Sequence, residues 1–192
     1  MKWLNQKQIR KKSGFKKMSW EFKILHALQT IHTPLLDGFF KFITRFGDGG
    51  IFWIALTILI LIFAKDKRIG VTCGLALSGE ALIIFIVKNI VQRPRPCWID
   101  HSVDMLIRIP KDYSFPSGHS GASFAVAVSI FLYNKKYGAC ALVLASLIAL
   151  SRMYLFVHFP TDVLAGMAIG TAAAFVAKRV AGTRVRRSEA GV

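Results

Sequence analysis

The sequence predicts an all-α fold: a polytopic membrane helical bundle of about five transmembrane helices, preceded by two interfacial amphipathic helices. Three observations carry this. Hydrophobic residues make up 54% of the 192 residues and are gathered into long runs, the pattern of a multi-span protein rather than a soluble core. Short charged turns separate the runs, at Lys65-Asp66-Lys67-Arg68, Asn134-Lys135-Lys136 and Lys178-Arg179. Upstream of the runs, apolar residues recur at helical spacing with charges between them.

Residues 1–19 form a basic N-terminal tail, expected to be disordered in part. The interfacial region, 20–48, holds two helices. In the first, Trp20, Ile24, Leu25, Leu28 and Ile31 share a face, with Lys23, His26 and Gln29 elsewhere. Thr33-Pro34 is a stop and restart, with Thr as N-cap and Pro in the first turn. The second helix sets Leu35, Leu36, Phe39, Phe40, Ile43 and Phe46 against Asp37, Lys41 and Arg45. Neither is apolar enough to span comfortably, and both suit the headgroup layer. The transmembrane core, 49–180, has spans at 51–64, 69–87, 122–133, 138–157 and 163–177. The last carries Gly166-x-x-x-Gly170, which suits close helix packing. A basic C-terminal tail, 181–192, follows.

The 26 Lys and Arg against 10 Asp and Glu give a formal net charge of +16. Among apolar spans, membrane lipids and an anionic substrate fit this balance better than nucleic acid, which is not expected as a partner. Cys73, Cys97 and Cys140 lack metal-ligand spacing. Cys73 and Cys140 lie in apolar runs and are expected to pack there; Cys97 adjoins the site cluster and is read as inert. No cleavable signal peptide is expected, because no uninterrupted apolar stretch follows the basic start. Glu80 falls mid-span, where a carboxylate is either a packed hydrogen-bonded group or a functional one.

Three polar clusters interrupt the apolar chain: Lys88 through Arg95-Pro96, then Pro116-Ser117-Gly118-His119, then Ser151-Arg152 through His158 to Asp162. If spans alternate direction, all three emerge at one membrane face. Taken singly, a basic residue at a span end is a snorkelling anchor and an interfacial histidine is a surface group, as His26, His32 and His101 are read. The joint pattern is an anion site. Lys88, Arg95 and Arg152 supply cations, and Arg presents paired donors suited to phosphate oxygens. Ser117 and Gly118 open a helix whose free N–H groups favour an anion. Asp162, four residues after His158, can hold one ring nitrogen as N–H and leave the other ready to attack. His119 is placed to protonate a leaving oxygen.

These residues carry a resemblance. Lys-x6-Arg-Pro, Pro-Ser-Gly-His and Ser-Arg-x5-His-x3-Asp are similar to the three-part signature of the type-2 phosphatidic acid phosphatase superfamily. The resemblance implies a lipid phosphatase with a phosphohistidine intermediate: His158 as nucleophile, Asp162 orienting it, and His119 as acid and then base. It implies that Lys88, Arg95, Ser117, Gly118 and Arg152 hold the phosphate. No metal or other cofactor is expected. By analogy alone the substrate is undecaprenyl diphosphate, with phosphatidylglycerol phosphate and phosphatidic acid as alternatives.

A lipid-phosphate binder or transporter is the competing class, disfavoured because binding needs cations and not a base with its orienting carboxylate. A vanadium-dependent oxidase is a third reading. In this family the site faces outward, which leaves Lys65–Arg68, Lys135-Lys136 and the C-terminal tail inside, as the positive-inside rule prefers. The basic N-terminal tail conflicts with that rule.

Overall fold

A computed structural model describes residues 20–189, with side chains through residue 182; the tail over 1–19, with its expected disorder, and residues 190–192 lie outside it. Among the described residues the chain is helix and loop. The helices are α1 (Trp20–Gln29), α2 (Pro34–Arg45), α3 (Ile51–Phe63), α4 (Lys67–Val91), the single turn α5 (Pro96–Ile99), α6 (Gly118–Phe131), α7 (Lys135–Tyr154) and α8 (Pro160–Glu189). The stretches Pro34–Phe63, Lys67–Ile99, Lys135–Tyr154 and Pro160–Gly182 are long and apolar enough to cross a membrane, and α6 is a shorter apolar helix. Large apolar side chains, among them Ile58, Ile62, Leu82, Phe85, Val143 and Phe175, remain exposed on the outside of the bundle. On a multi-span protein such a surface meets lipid.

Helix boundaries follow local chemistry. Thr33 caps α2, its hydroxyl accepting from Leu36 N, with Pro34 in the first turn, as the Thr-Pro pair predicts. Asp66, Ser117 and Asn134 cap α4, α6 and α7 in the same way. The Ser117 cap starts α6 four residues before the predicted 122. The basic pair Lys178-Arg179 does not end α8, which runs on to Glu189.

Helix α6 is the axis of the bundle. Every residue from Ser120 to Ile130 is buried, with α4, α7 and α8 packed around it. Small residues allow this approach. A Cβ on Gly166 would lie 2.4 Å from Ser117 O, and one on Gly170 would lie 2.2 Å from Gly121 O, so the expected Gly-x-x-x-Gly stripe seats α8 directly on the α6 backbone. Trp53 is fully buried between α3 and α6 and donates to Ser123 Oγ at 2.9 Å.

Between α2 and α3 the chain turns through Asp48–Gly50, where Gly49 and Gly50 take φ of 58° and 68°. These values favour glycine. Helices α1 and α2 both pack on α7, at the end that carries the site loops. Cys97 is buried, as an inert residue should be, whereas Cys140 is exposed on the outside of the bundle rather than packed. His26 and His32 are not plain surface groups. Half-buried, His26 lies 2.9 Å from Asp100 Oδ2, and His32 stacks on Tyr154 at 4.1 Å.

Candidate active site

The three sequence clusters meet around one open cavity of about 1100 Å³, lined by Lys88, Arg95, Gly118, His119, Arg152 and His158 among others. Lys88 ends α4, Arg95 precedes α5, His119 is in the first turn of α6, Arg152 is in the last turn of α7, and His158 and Asp162 flank the start of α8. Two predicted residues stand behind the cavity wall. Asp162 is fully buried, and the Ser117 hydroxyl is fully buried as the α6 cap, with Ser120 Oγ 3.0 Å away. Ser117 also ties the clusters together, its N–H donating to Asp162 O at 3.0 Å.

His158 is held at both ring nitrogens. Arg95 Nη1 lies 3.0 Å from its Nε2. A guanidinium has only donors, so Nε2 accepts and the proton resides on Nδ1. Nδ1 lies 3.5 Å from both Asp162 Oδ2 and Ser114 Oγ, which fixes the tautomer that leaves the lone pair on Nε2. Burial, and then the charges of Arg95, Arg152 and Lys88, push the His158 pKa well below its ordinary value and keep the imidazole neutral. The loop presenting His158 is strained. Two residues earlier, buried Phe156 has φ of 58°, a conformation that bulky residues rarely adopt and that clusters at functional sites.

The cations differ in how far they are engaged. Lys88 and Arg95 share one carboxylate: Lys88 pairs with Asp112 Oδ2, and Arg95 Nη2 donates to Asp112 Oδ1 at 2.7 Å. Burial alone would raise the Asp112 carboxyl, but Arg95 and Lys88 overcome it and hold it below the usual carboxylate range. Arg152 is different. Its Nη1 donates to Thr44 Oγ1 at 2.5 Å, and its buried Nε has no hydrogen-bond partner.

The second histidine has a carboxylate of its own. His119 Nε2 lies 2.9 Å from Asp48 Oδ1. Gly47 packs so tightly on the ring that a Cβ there would be 2.4 Å from His119 Cδ2. The site is therefore two His–Asp pairs, His158–Asp162 and His119–Asp48, around three cations. Glu80 also lines the cavity, and a Cβ on Gly121 would come 2.0 Å from its Oε1.

Asp48, Arg93, Asp112 and Ser114 do not stand out in the sequence as site residues. Arg93, Asp112 and Ser114 lie in or near a motif and Asp48 lies far ahead of the first, but each has its partner 17 to 71 residues away, and spacing gives no signal at that range.

Comparison with known proteins agrees with the geometry. Residues 69–186 match the model of the PAP2 superfamily. The chain is 29% identical over 163 residues to an undecaprenyl-diphosphatase of Sulfolobus acidocaldarius, covering 84% of this chain and 77% of that one. It is 27% identical over 160 residues to undecaprenyl-diphosphatase BcrC of Bacillus subtilis, covering 83% and 82%. Among solved structures, LpxE of Aquifex aeolicus superposes with a TM-score of 0.76 at 27% identity, covering 85% of this chain and 97% of that one. The PAP2-type phosphatidylglycerolphosphate phosphatase of Bacillus subtilis gives 0.71 at 28% identity, covering 84% of each. A bacterial vanadium-dependent iodoperoxidase at 17% identity, with a TM-score of 0.66, shares the fold alone. The chain belongs to the PAP2 superfamily and is one of its multi-pass membrane lipid phosphatases.

Proposed function

We propose that this protein removes the terminal phosphate of a polyprenyl diphosphate, undecaprenyl diphosphate above all, through a phosphohistidine on His158. The observation that carries the phosphate site is Arg152: a guanidinium buried to 4% exposure, with a partnerless Nε, on a cavity it shares with Lys88 and Arg95. Such a buried donor needs an acceptor, and phosphoryl transfer needs positioned charge on the equatorial oxygens. In the proposed sequence His158 Nε2 attacks phosphorus and the P–O bond to the leaving group breaks. His119 gives that oxygen its proton, and Asp48 stabilises the imidazolium beforehand. His119 then takes a proton from the water that releases inorganic phosphate. Lys88, Arg95, Arg152 and the α6 N–H groups at Gly118 hold the phosphate, with Ser117 shaping that helix end.

The diphosphate is favoured by charge on the leaving side. Arg45 lies within electrostatic reach of Asp48, the partner of His119, and both Arg45 and Lys41 line the cavity. A leaving lipid phosphate needs such cations, whereas a leaving alcohol does not. Relatives named undecaprenyl-diphosphatase support the same substrate, and one named phosphatidylglycerophosphatase B supports the monoester alternative. α1 and α2 are read as interfacial helices. The site is placed on the extracytoplasmic face, which leaves the Lys65–Arg68 and Lys135-Lys136 turns inside.

The test is phosphate release by the detergent-purified chain in EDTA, from undecaprenyl diphosphate, phosphatidylglycerol phosphate and phosphatidic acid in parallel. Arg45→Ala should lower kcat/KM for the diphosphate about tenfold and leave phosphatidic acid within twofold, in line with one charge-assisted contact. Equal losses on both would refute the diphosphate assignment. Activity lost in EDTA and restored by Mg²⁺ would refute metal-independent turnover.

A further inference from the structure

Arg93, two residues before the phosphate-site Arg95, does not line the cavity; it stands behind the His158–Asp162 pair. Its Nη1 donates to Asp162 Oδ1 and to Thr161 Oγ1, each at 2.7 Å, and its Nη2 donates to Glu21 Oε2 at 2.6 Å. Glu21 Oε1 in turn accepts from Thr161 Oγ1 at 2.6 Å. The guanidinium lies 4.1 Å over the centre of the Phe159 ring, and Phe22 meets that ring edge-on at 5.2 Å. One face and both arms of the fork are thus fixed, with Glu21 of α1 on one arm and Phe22 of α1 backing the Phe159 ring.

We propose that Arg93 is a positioning residue for Asp162, and that Glu21 holds Arg93 in place, making the interfacial helix α1 a working part of the catalytic unit. The proposal rests on the reading of His158 as nucleophile. A fully buried carboxylate persists only with a paired cation and a full set of donors. Arg93 supplies that charge to Oδ1, while Ser114 Oγ and Phe159 N donate to Oδ2 at 2.5 and 2.8 Å. Oδ2 is the oxygen that faces His158 Nδ1. Freed from Arg93, the carboxylate can rotate and release Nδ1. Lysine would restore the charge but not the fork, because its ammonium is a point charge on a flexible stem.

The same helix braces the rest of the loop. His26 packs 5.4 Å from strained Phe156, and Gln29 donates to Tyr154 O at 3.1 Å. α1 also exposes Trp20 and Ile24, with Ile31 just beyond its end, apolar groups suited to the membrane surface. Seating of α1 on lipid is thereby linked to the geometry of the nucleophile.

The test is steady-state turnover of undecaprenyl diphosphate by the full chain in lipid vesicles, with alkaline-quench trapping of the acid-labile phosphohistidine and His158→Ala as control. Arg93→Ala should lower kcat about 10- to 100-fold, as loss of such supporting contacts does, with KM within twofold. Arg93→Lys should recover part of that loss. Glu21→Ala should lower kcat several-fold in the wild type and have little further effect on Arg93→Ala, since residues in one network do not add. A raised KM with kcat intact would make Arg93 a substrate-binding cation and overturn the proposal, as would additive effects of the two substitutions. If Arg93→Ala fails to fold, Arg93→Lys and Glu21→Ala, alone and combined, decide the same question. A His158→Ala variant that still turns over would instead overturn the nucleophile assignment, a distinguishable result.

Discussion

Replacing Asp162 by Asn keeps the side-chain volume and changes two acceptor oxygens into one acceptor and one donor group. Asp162 is fully buried and receives Arg93 on Oδ1, and Ser114, Phe159 N and the Nδ1 side of His158 on Oδ2. The amide NH₂ therefore meets donors wherever it turns. The cheaper orientation points it at Arg93, which keeps Glu21 and Thr161 as partners. The loss is then one charge-assisted hydrogen bond, about 1.5–3 kcal/mol of stability, short of the ~3–5 kcal/mol for stranding a fully buried ion, because the Arg93 side chain is 25% exposed.

The rate suffers more. The amide oxygen left facing Nδ1 still accepts its proton, but it no longer carries the negative charge that stabilises the proposed phosphorylated ring, and losing such a carboxylate costs about 10²–10⁴-fold in a comparable His–Asp pair. At about 1.4 kcal/mol per tenfold, that is ~3–6 kcal/mol of barrier. Initial rates with undecaprenyl diphosphate, beside a thermal unfolding curve, should show a folded, slightly destabilised protein with residual turnover above that of His158→Ala. A rate within about threefold of wild type would refute the role given to the Asp162 charge.

Further outcomes are expected. His119→Ala and Asp48→Asn should both slow hydrolysis of lipid phosphates, by about 10²-fold or more for His119→Ala, and matter less for an aryl phosphate whose leaving group needs no proton; equal losses on both substrates would remove the acid role. Gly170→Val should separate α8 from α6, because its Cβ would meet Gly121 O at 2.2 Å and Ala125 N at 2.8 Å; a stability loss of about 1–3 kcal/mol or more should appear in the unfolding midpoint, and an unchanged midpoint would contradict the packing. The depressed pKa of His158 has a definite sign. Below about pH 6.5, its ordinary value, the unfolded chain binds a proton that the folded site refuses, so stability falls as pH drops. Unfolding midpoints at pH 7.5 and 5.5 should differ more for wild type than for His158→Gln, and equal differences would show that His158 is not held neutral.

The signature residues announce themselves because the reaction demands particular side chains and the rest of the chain is apolar. Lys88, Arg95, His119, Arg152, His158 and Asp162 are conspicuous against hydrocarbon runs, and alternation of spans implies that they meet. The helical bundle, the Thr33-Pro34 restart and the Gly166/Gly170 stripe are equally legible, since caps, proline and small-residue spacing act locally. The ends of α4 and α8 are not, because a helix can carry charged residues past the apolar run that packing requires.

The order of residues along the chain thus suffices to single out the groups proposed as nucleophile, acid and anion clamp. How each group is held emerges only from the folded bundle. That Asp48 partners His119, that Asp112 joins Lys88 to Arg95, and that Glu21 and Arg93 stand behind Asp162 are pairings across long stretches of chain. Charges carry no address in the sequence. A carboxylate finds its cation only when folding brings them together and removes the water that would otherwise serve either one.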